Sequence, residues 1–283
     1  KWSKILIKNE INFNKNQHYA NKGNVNAKLT MYLNPELKCS VNAKIKPHGD
    51  FYSHHKDIND IYEIPSLSVD LKDGHIFGIT KFILFRPQSR NASNEILSTS
   101  IYQEVGLLAP RTSYVKLNYK NKKTIFIFQE KINKEFLEHN KLVEGAIYKG
   151  DERFSFKYWY LKNELSKHRL SNGKWAILND SNYIISTEAL KILNFVNHFN
   201  KNEVKLDFII DYYGATRNQK LSSYFINLPT YDALTYALGA VHNLSRDDRR
   251  FYFDSVEKLF KPIYYDGLSN IIDEKFNITE EYK

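Results

Sequence analysis

Short runs of β-branched and aromatic residues fill the first third of the chain. Val41 to Ile45, Leu67-Ser68-Val69-Asp70-Leu71 and Phe82-Ile83-Leu84-Phe85 read as strands, with Gly, Asn and Pro breaking them apart. Lys4-Ile5-Leu6-Ile7-Lys8 reads the same way. Ser93 is placed to cap a helix over 94–105, where Leu97, Ile101 and Val105 recur every fourth residue and Gly106 ends the pattern. Tyr114 to Tyr119 and Thr124 to Phe128 predict a hairpin closed by Lys120-Asn121-Lys122-Lys123. Residues 151–183 are aromatic and polar without a period and give no assignment. From Ser186 the period becomes helical. Ser186 or Thr187 precedes Ala189, Leu190, Ile192, Leu193 and Val196. A second stripe covers 204–213 and stops at Gly214, and a third follows Pro229-Thr230 with Ala233, Leu234, Ala237, Leu238 and Val241. Phe251-Tyr252-Phe253, a turn over 254–258 and an apolar run over 259–265 predict another hairpin. A β-rich front half with one helix and a helical back half with an embedded hairpin predict an α+β fold in two lobes, 1–150 and 151–283, forming one bilobed domain.

Composition removes several classes. Among 283 residues, 20 Tyr and 18 Phe are too much apolar surface for a disordered chain. Eleven Gly and 7 Pro exclude a collagen-like repeat, and one cysteine, Cys39, excludes a disulfide scaffold and reads as a packing residue. The net charge of +9 favours anionic partners, although the lysines are scattered as A/T-rich coding would leave them. No apolar run reaches membrane-spanning length. The chain begins at Lys1 rather than Met, which is compatible with an excised domain whose signal or membrane tether lies outside this segment. No helix-turn-helix, zinc-finger or RNA-binding signature is visible, so specific nucleic-acid binding is not expected. Phosphate-loop, dinucleotide-binding and nucleophile-elbow motifs are likewise missing. His48, Asp50, His54 and His55 offer transition-metal donors, but clustered histidines in a polar loop are more often solvent-exposed than metal-binding.

The stretch richest in chemistry runs from His242-Asn243-Leu244-Ser245-Arg246-Asp247-Asp248 through Phe251-Tyr252-Phe253 to Pro262-Ile263-Tyr264-Tyr265-Asp266-Gly267. Its order is helix, polar loop, hairpin, Asp-Gly. Protein kinases use this layout, with metal-binding groups before and after the hairpin. Hard oxygen ligands from two points of the chain would hold a divalent ion against nucleotide phosphates. Asp248 and Asp266 are placed to do so once the hairpin folds back, and Gly267 is read as freeing the backbone to turn.

Several blocks, in order, resemble the spore-coat kinase (CotH) family of atypical kinases. They are Pro47-His48-Gly49-Asp50, Ser66 to Leu71, Phe85-Arg86-Pro87-Gln88-Ser89-Arg90-Asn91 with Glu95, Glu104 to Arg111, Phe128-Gln129-Glu130-Lys131, Gly145 to Lys149, and His242 to Gly267. The resemblance spans roughly 40–270 and is weak near 151–225. It implies an atypical protein-kinase-like fold that transfers the γ-phosphate of ATP, with Mg²⁺ or Mn²⁺, to a hydroxyl acceptor, by resemblance a protein Ser/Thr. A glycan or small-molecule hydroxyl is chemically equivalent. It also implies roles. Asp266 and Asp248 would bind metal, with Asp248 replacing the family's Asn. His242 stands where the family often has its catalytic Asp, so the base is His242 or Asp247. Glu95 would position a phosphate-gripping base, for which His48 replaces the family's Arg and Lys46 is a second candidate. Arg90, Lys131 and Lys149 are further candidates for phosphate contact. The two departures keep a second reading open, a catalytically degenerate pseudokinase that serves as a binding or scaffold module.

Overall fold

The computed structural model describes residues 2, 4, 5, 23–32, 36–49, 54, 64–119, 122–151, 167–199, 221–245 and 248–272. Among these residues all regular strand pairing is antiparallel and divides into two sheets, giving an α+β protein. The first sheet contains β1 (Val25–Tyr32), β2 (Lys38–Pro47), β3 (Leu67–Leu71), β4 (Lys81–Phe85), β5 (Thr112–Tyr119) and β6 (Lys122–Glu130), in the order β1-β2-β3-β4-β6-β5. The second contains β7 (Ala146–Gly150), β8 (His168–Leu170), β9 (Arg250–Asp254) and β10 (Leu259–Ile263), in the order β10-β9-β7-β8.

The chain forms two compact units. One comprises Lys1–Ser100, Pro110–His139 and Ile272–Lys283; the other comprises Ile101–Ala109 and Asn140–Ile271. Strand β7, which a division at residue 150 gives to the front lobe, pairs within the second unit's sheet.

In the first unit, alternation sorts the sheet's side chains onto two unlike faces. Val41, Ala43, Leu67, Val69, Leu71, Phe82, Leu84, Phe126 and Phe128 pack into an apolar core on one face. The opposite face carries the cross-strand row Lys46, Ser68, Ile83, Gln129 and Thr112. Helix α1 (Ser93–Glu104) buries polar groups: Asn94, Glu95, Ser98, Thr99 and Tyr102 are buried, whereas Val105, just past its end, is 53% exposed. The expected Leu97, Ile101, Val105 stripe is therefore not the buried side. The reason is chemical, since Gln129 Nε2 donates to Glu95 Oε1 at 2.7 Å and makes a buried carboxylate tolerable. Ser93 also departs from its expected capping role; it lies inside the helix, and its hydroxyl bonds Tyr114 Oη at 2.9 Å.

In the second unit, Tyr148, Phe251, Phe253 and Phe260 of the sheet pack against Ala189 and Leu193 of helix α3 (Asp180–Phe199), which follows the short α2 (Lys134–His139) of the first unit. Helix α3 starts six residues before Ser186, whose Oγ donates to Tyr183 O at 3.0 Å from within the helix rather than capping it. Helix α4 (Leu228–Ala237) begins with Pro near its first position, and Gly239 at φ 64° ends it before Val241 can extend the stripe.

Two smaller expectations fail. Lys4 and Ile5 are helical rather than extended, and Leu6 to Lys8 lie outside the described residues. Cys39 is exposed on β2, not packed. The stripe over 204–213 also lies outside the described residues.

Candidate functional site

Three polar side chains of the second unit converge. His242, Asp248 and Asp266 each offer a ligand atom, and these atoms lie within 4.8 Å of one another. They come from three places in the chain. His242 sits on a single 3₁₀ turn, Val241–Leu244, directly after α4. Asp248 precedes β9, and Asp266 follows β10, so the antiparallel register Ile263↔Arg250 brings their flanks together.

Buried hydrogen bonds fix this arrangement from behind. Asn243 donates through Nδ2 to Tyr231 Oη, and Tyr231 Oη donates to Ile263 O at 3.2 Å. One phenol thus ties the His242 turn to the strand that delivers Asp266. Tyr102 Oη bonds Thr235 Oγ1, which donates to Tyr231 O at 2.6 Å. Both phenols titrate above their ordinary value, chiefly through burial, Tyr102 at about 12.

The ligand atoms themselves are oriented locally. Ser245 Oγ donates to Asp248 Oδ2 at 2.8 Å, and Asp248 N donates to Ser245 O at 3.2 Å. Asp248 is 7% exposed, a costly place for a carboxylate unless positive charge balances it. His242 Nδ1 lies 2.9 Å from the carbonyl oxygen of Asp266 and 3.6 Å from Asp248 Oδ2. A carbonyl can only accept, so Nδ1 is the donor of this bond, which in the neutral ring leaves the lone pair on Nε2. Asp266 has φ 54°, in the left-handed region that Asp tolerates better than most residues. The role expected of Gly267 is corrected here. Its Cβ would lie 2.7 Å from Tyr264 Oη and 2.8 Å from Ala240 Cβ, so the glycine is required for space, while the unusual turn falls on Asp266.

The other candidate residues fall into separate groups. In the first unit, Lys46 lies opposite Ser68, and Lys131 Nζ donates to Ser68 Oγ at 2.5 Å, so the two lysines flank one hydroxyl. Burial, then Lys46, pulls the Lys131 amine down to about 8, with Asp70 opposing and Lys81 adding to the effect. His48 stacks edge-on against Phe85 with ring centres 5.2 Å apart, and the buried Arg90 guanidinium lies 4.2 Å over the same ring. His54 Nδ1 is 3.3 Å from Ser66 Oγ, and its ring blocks any side chain at Gly49. Glu95 is buried and held by Gln129. In the second unit, Lys149 of β7 faces Arg169 on one side and Arg250 on the other. Asp247, Asp50 and His55 lie outside the described residues.

Sequence reading passed over Tyr231, Asn243, Ser245 and Gln129. Ser245 acts locally, three residues before Asp248, but no sequence pattern marks it; the others act through long-range pairing. Among the described residues no helix is long and apolar enough to cross a membrane. No protein-family model and no curated protein matches the chain.

Proposed function

We propose that the protein is a CotH-like kinase with a bilobed, atypical protein-kinase-like fold. It transfers the γ-phosphate of ATP to a hydroxyl acceptor, by resemblance a protein Ser or Thr. The observation that carries this reading is the convergence of His242, Asp248 and Asp266 within 4.8 Å, from either side of one hairpin. Two carboxylates at that spacing suit a hard divalent cation, Mg²⁺ or Mn²⁺, and leave the adjacent imidazole for the acceptor. The second carboxylate would otherwise repel the first, and a cation removes that cost.

Asp248 and Asp266 would hold the ion, which would neutralise phosphate charge. Ser245 fixes the Asp248 carboxylate, and the Asp266 carbonyl fixes the His242 ring. His242 Nε2 then orients the acceptor hydroxyl and takes its proton. The acceptor oxygen bonds to the γ-phosphorus while the bridging P–O bond to the β-phosphate breaks, and ADP departs. Asp247 is the other candidate base. Lys46, His48, Arg90, Glu95, Lys131 and Lys149 are the residues assigned to gripping or positioning the nucleotide. Positioning and charge neutralisation supply the rate.

Thermal-shift titration of the full chain with ATP and Mn²⁺ tests the reading. Saturable stabilisation that loses its metal dependence in Asp266→Ala supports it. No shift in the intact chain, or an unchanged one in Asp266→Ala, rejects it. Labelled-phosphate transfer to the protein itself or to casein-like acceptors, lost in His242→Ala, separates an active kinase from a nucleotide-binding scaffold.

A further inference from the structure

Strand register in the first unit gathers lysines on one face of the sheet with little negative charge to meet them. Asp70 of β3 lies opposite Lys44 of β2 and Lys81 of β4. Two residues away on the same face, Ser68 lies opposite Lys46, and Lys131 Nζ donates to its hydroxyl at 2.5 Å. Asp70 is the carboxylate of this group, and its Oδ2 already accepts from Lys72 at 2.6 Å. Glu95, which α1 lends to the same face, accepts from Gln129 on the far side of Ile83. Among the described residues no carboxylate ion-pairs with Lys46 or Lys131.

Lys131 differs from the lysines around it. Lys44, Lys72 and Lys81 are exposed, whereas Lys131 is half-buried and its amine rests on a buried neutral hydroxyl. Burial, then Lys46, with Lys81 adding and Asp70 opposing, draws the amine down to about 8, so a nucleophilic lone pair is available near neutral pH. A carboxylate at the end of Lys131 would turn the repulsion from Lys46 into attraction, with the Ser68 hydroxyl as a further donor. Carbon dioxide adds such a carboxylate to an amine. It is also small and uncharged, so a half-buried amine is within its reach.

We propose that Lys131 is a carbamate-forming site: its side-chain amine takes up dissolved CO₂, and Lys46 and Ser68 hold the product. The Nζ lone pair bonds to the carbon of CO₂, one C=O π pair moves onto oxygen, and the nitrogen releases a proton to water. Lys–NH₂ and CO₂ thus give Lys–NH–COO⁻ and H⁺. The site stands on the first unit alone and does not rest on the kinase reading. Where the same lysines grip a nucleotide, carbamate and phosphate exclude one another, because each needs the Lys46 ammonium.

The test is incubation of the full chain with ¹³C-bicarbonate at pH 8, without metal or ATP, followed by trapping with triethyloxonium and peptide mapping. Trapping esterifies the carbamate, so mapping separates Lys131 from the N-terminal amine and from exposed lysines. The expected result is saturable label on Lys131, above that on Lys44 or Lys81, and lost at pH 6 at the same dissolved CO₂. Label on Lys131 should fall about tenfold in Lys46→Met, which removes both the charge that keeps the amine neutral and the counter-charge of the carbamate. Circular dichroism matched to wild type shows that the variant is folded. If it fails to fold, wild type in urea decides: label on Lys131 that drops to the level of the exposed lysines supports the site, and label unchanged by unfolding overturns it. No label on Lys131 in the native chain, or equal label in a folded Lys46→Met, also overturns it.

Discussion

Replacing Lys131 with methionine should stabilise the protein at neutral pH. Its amine is drawn from 10.5 to about 8 by burial and by Lys46, so at pH 7 the native state holds an ammonium where it is disfavoured. That difference corresponds to a cost of about 3 kcal/mol at pH 7. The hydrogen bond from Nζ to Ser68 Oγ at 2.5 Å offsets roughly 1 kcal/mol, and Lys131→Met forfeits it. The net expectation is a gain of about 2 kcal/mol, since methionine fills the stem's volume without a charge. The sign with pH follows from linkage. Between about 8 and 10.5 the unfolded chain binds the proton and the native state does not, so wild-type stability rises with pH across that window. At pH 9.5 the remaining cost is about 1 kcal/mol, which the lost hydrogen bond cancels. Urea unfolding of both proteins at pH 7 and pH 9.5 measures this directly. A variant less stable than wild type at pH 7, or an advantage that does not shrink at pH 9.5, would refute the reasoning.

Two further substitutions probe the second unit. Gly267→Ala should cost about 1–3 kcal/mol in unfolding by urea, because its Cβ meets Tyr264 and Ala240 inside 3 Å; an unchanged midpoint would contradict the packing at Asp266. Asp254→Asn should flatten the acid limb of the stability profile. Burial raises the Asp254 carboxyl, but Lys261 and the Glu257 and Val256 amides outweigh it and hold the group below 3.8. Its contribution is therefore present above that value and lost as pH falls through the lower native one. Acid titrations of wild type and variant that overlay would remove Asp254 from the account.

Much of the fold was written in local pattern. The strands at 41–45, 67–71 and 82–85 and both hairpins appear where short runs of β-branched and aromatic residues put them, since such side chains suit the packed faces of a sheet. Helix α1 was located correctly, yet its buried face was misread. Apolar spacing finds the inward side only when the partner surface is apolar, and Glu95 meets Gln129 instead. The start of α3 was missed because Ser186 resembles a cap, while the true start at Asp180 lies in a stretch without a period. At the candidate site, the convergence of Asp248 and Asp266 was readable from the hairpin between them. The Tyr231 hydroxyl that anchors both flanks was not, since it bonds residues 12 and 32 positions away and leaves no local mark. The opposition of Lys149 to Arg169 and Arg250 likewise exists only after β7 takes its place between β8 and β9.

The central claim is that Asp248 and Asp266 share a divalent cation. Electron paramagnetic resonance of free Mn²⁺, titrated with the full chain in the presence of ATP, tests it most directly. One saturable Mn²⁺ site in wild type, lost in both Asp248→Ala and Asp266→Ala while each variant stays folded, is the predicted result. Mn²⁺ uptake equal to that of ATP alone, or undiminished in either variant, would contradict it.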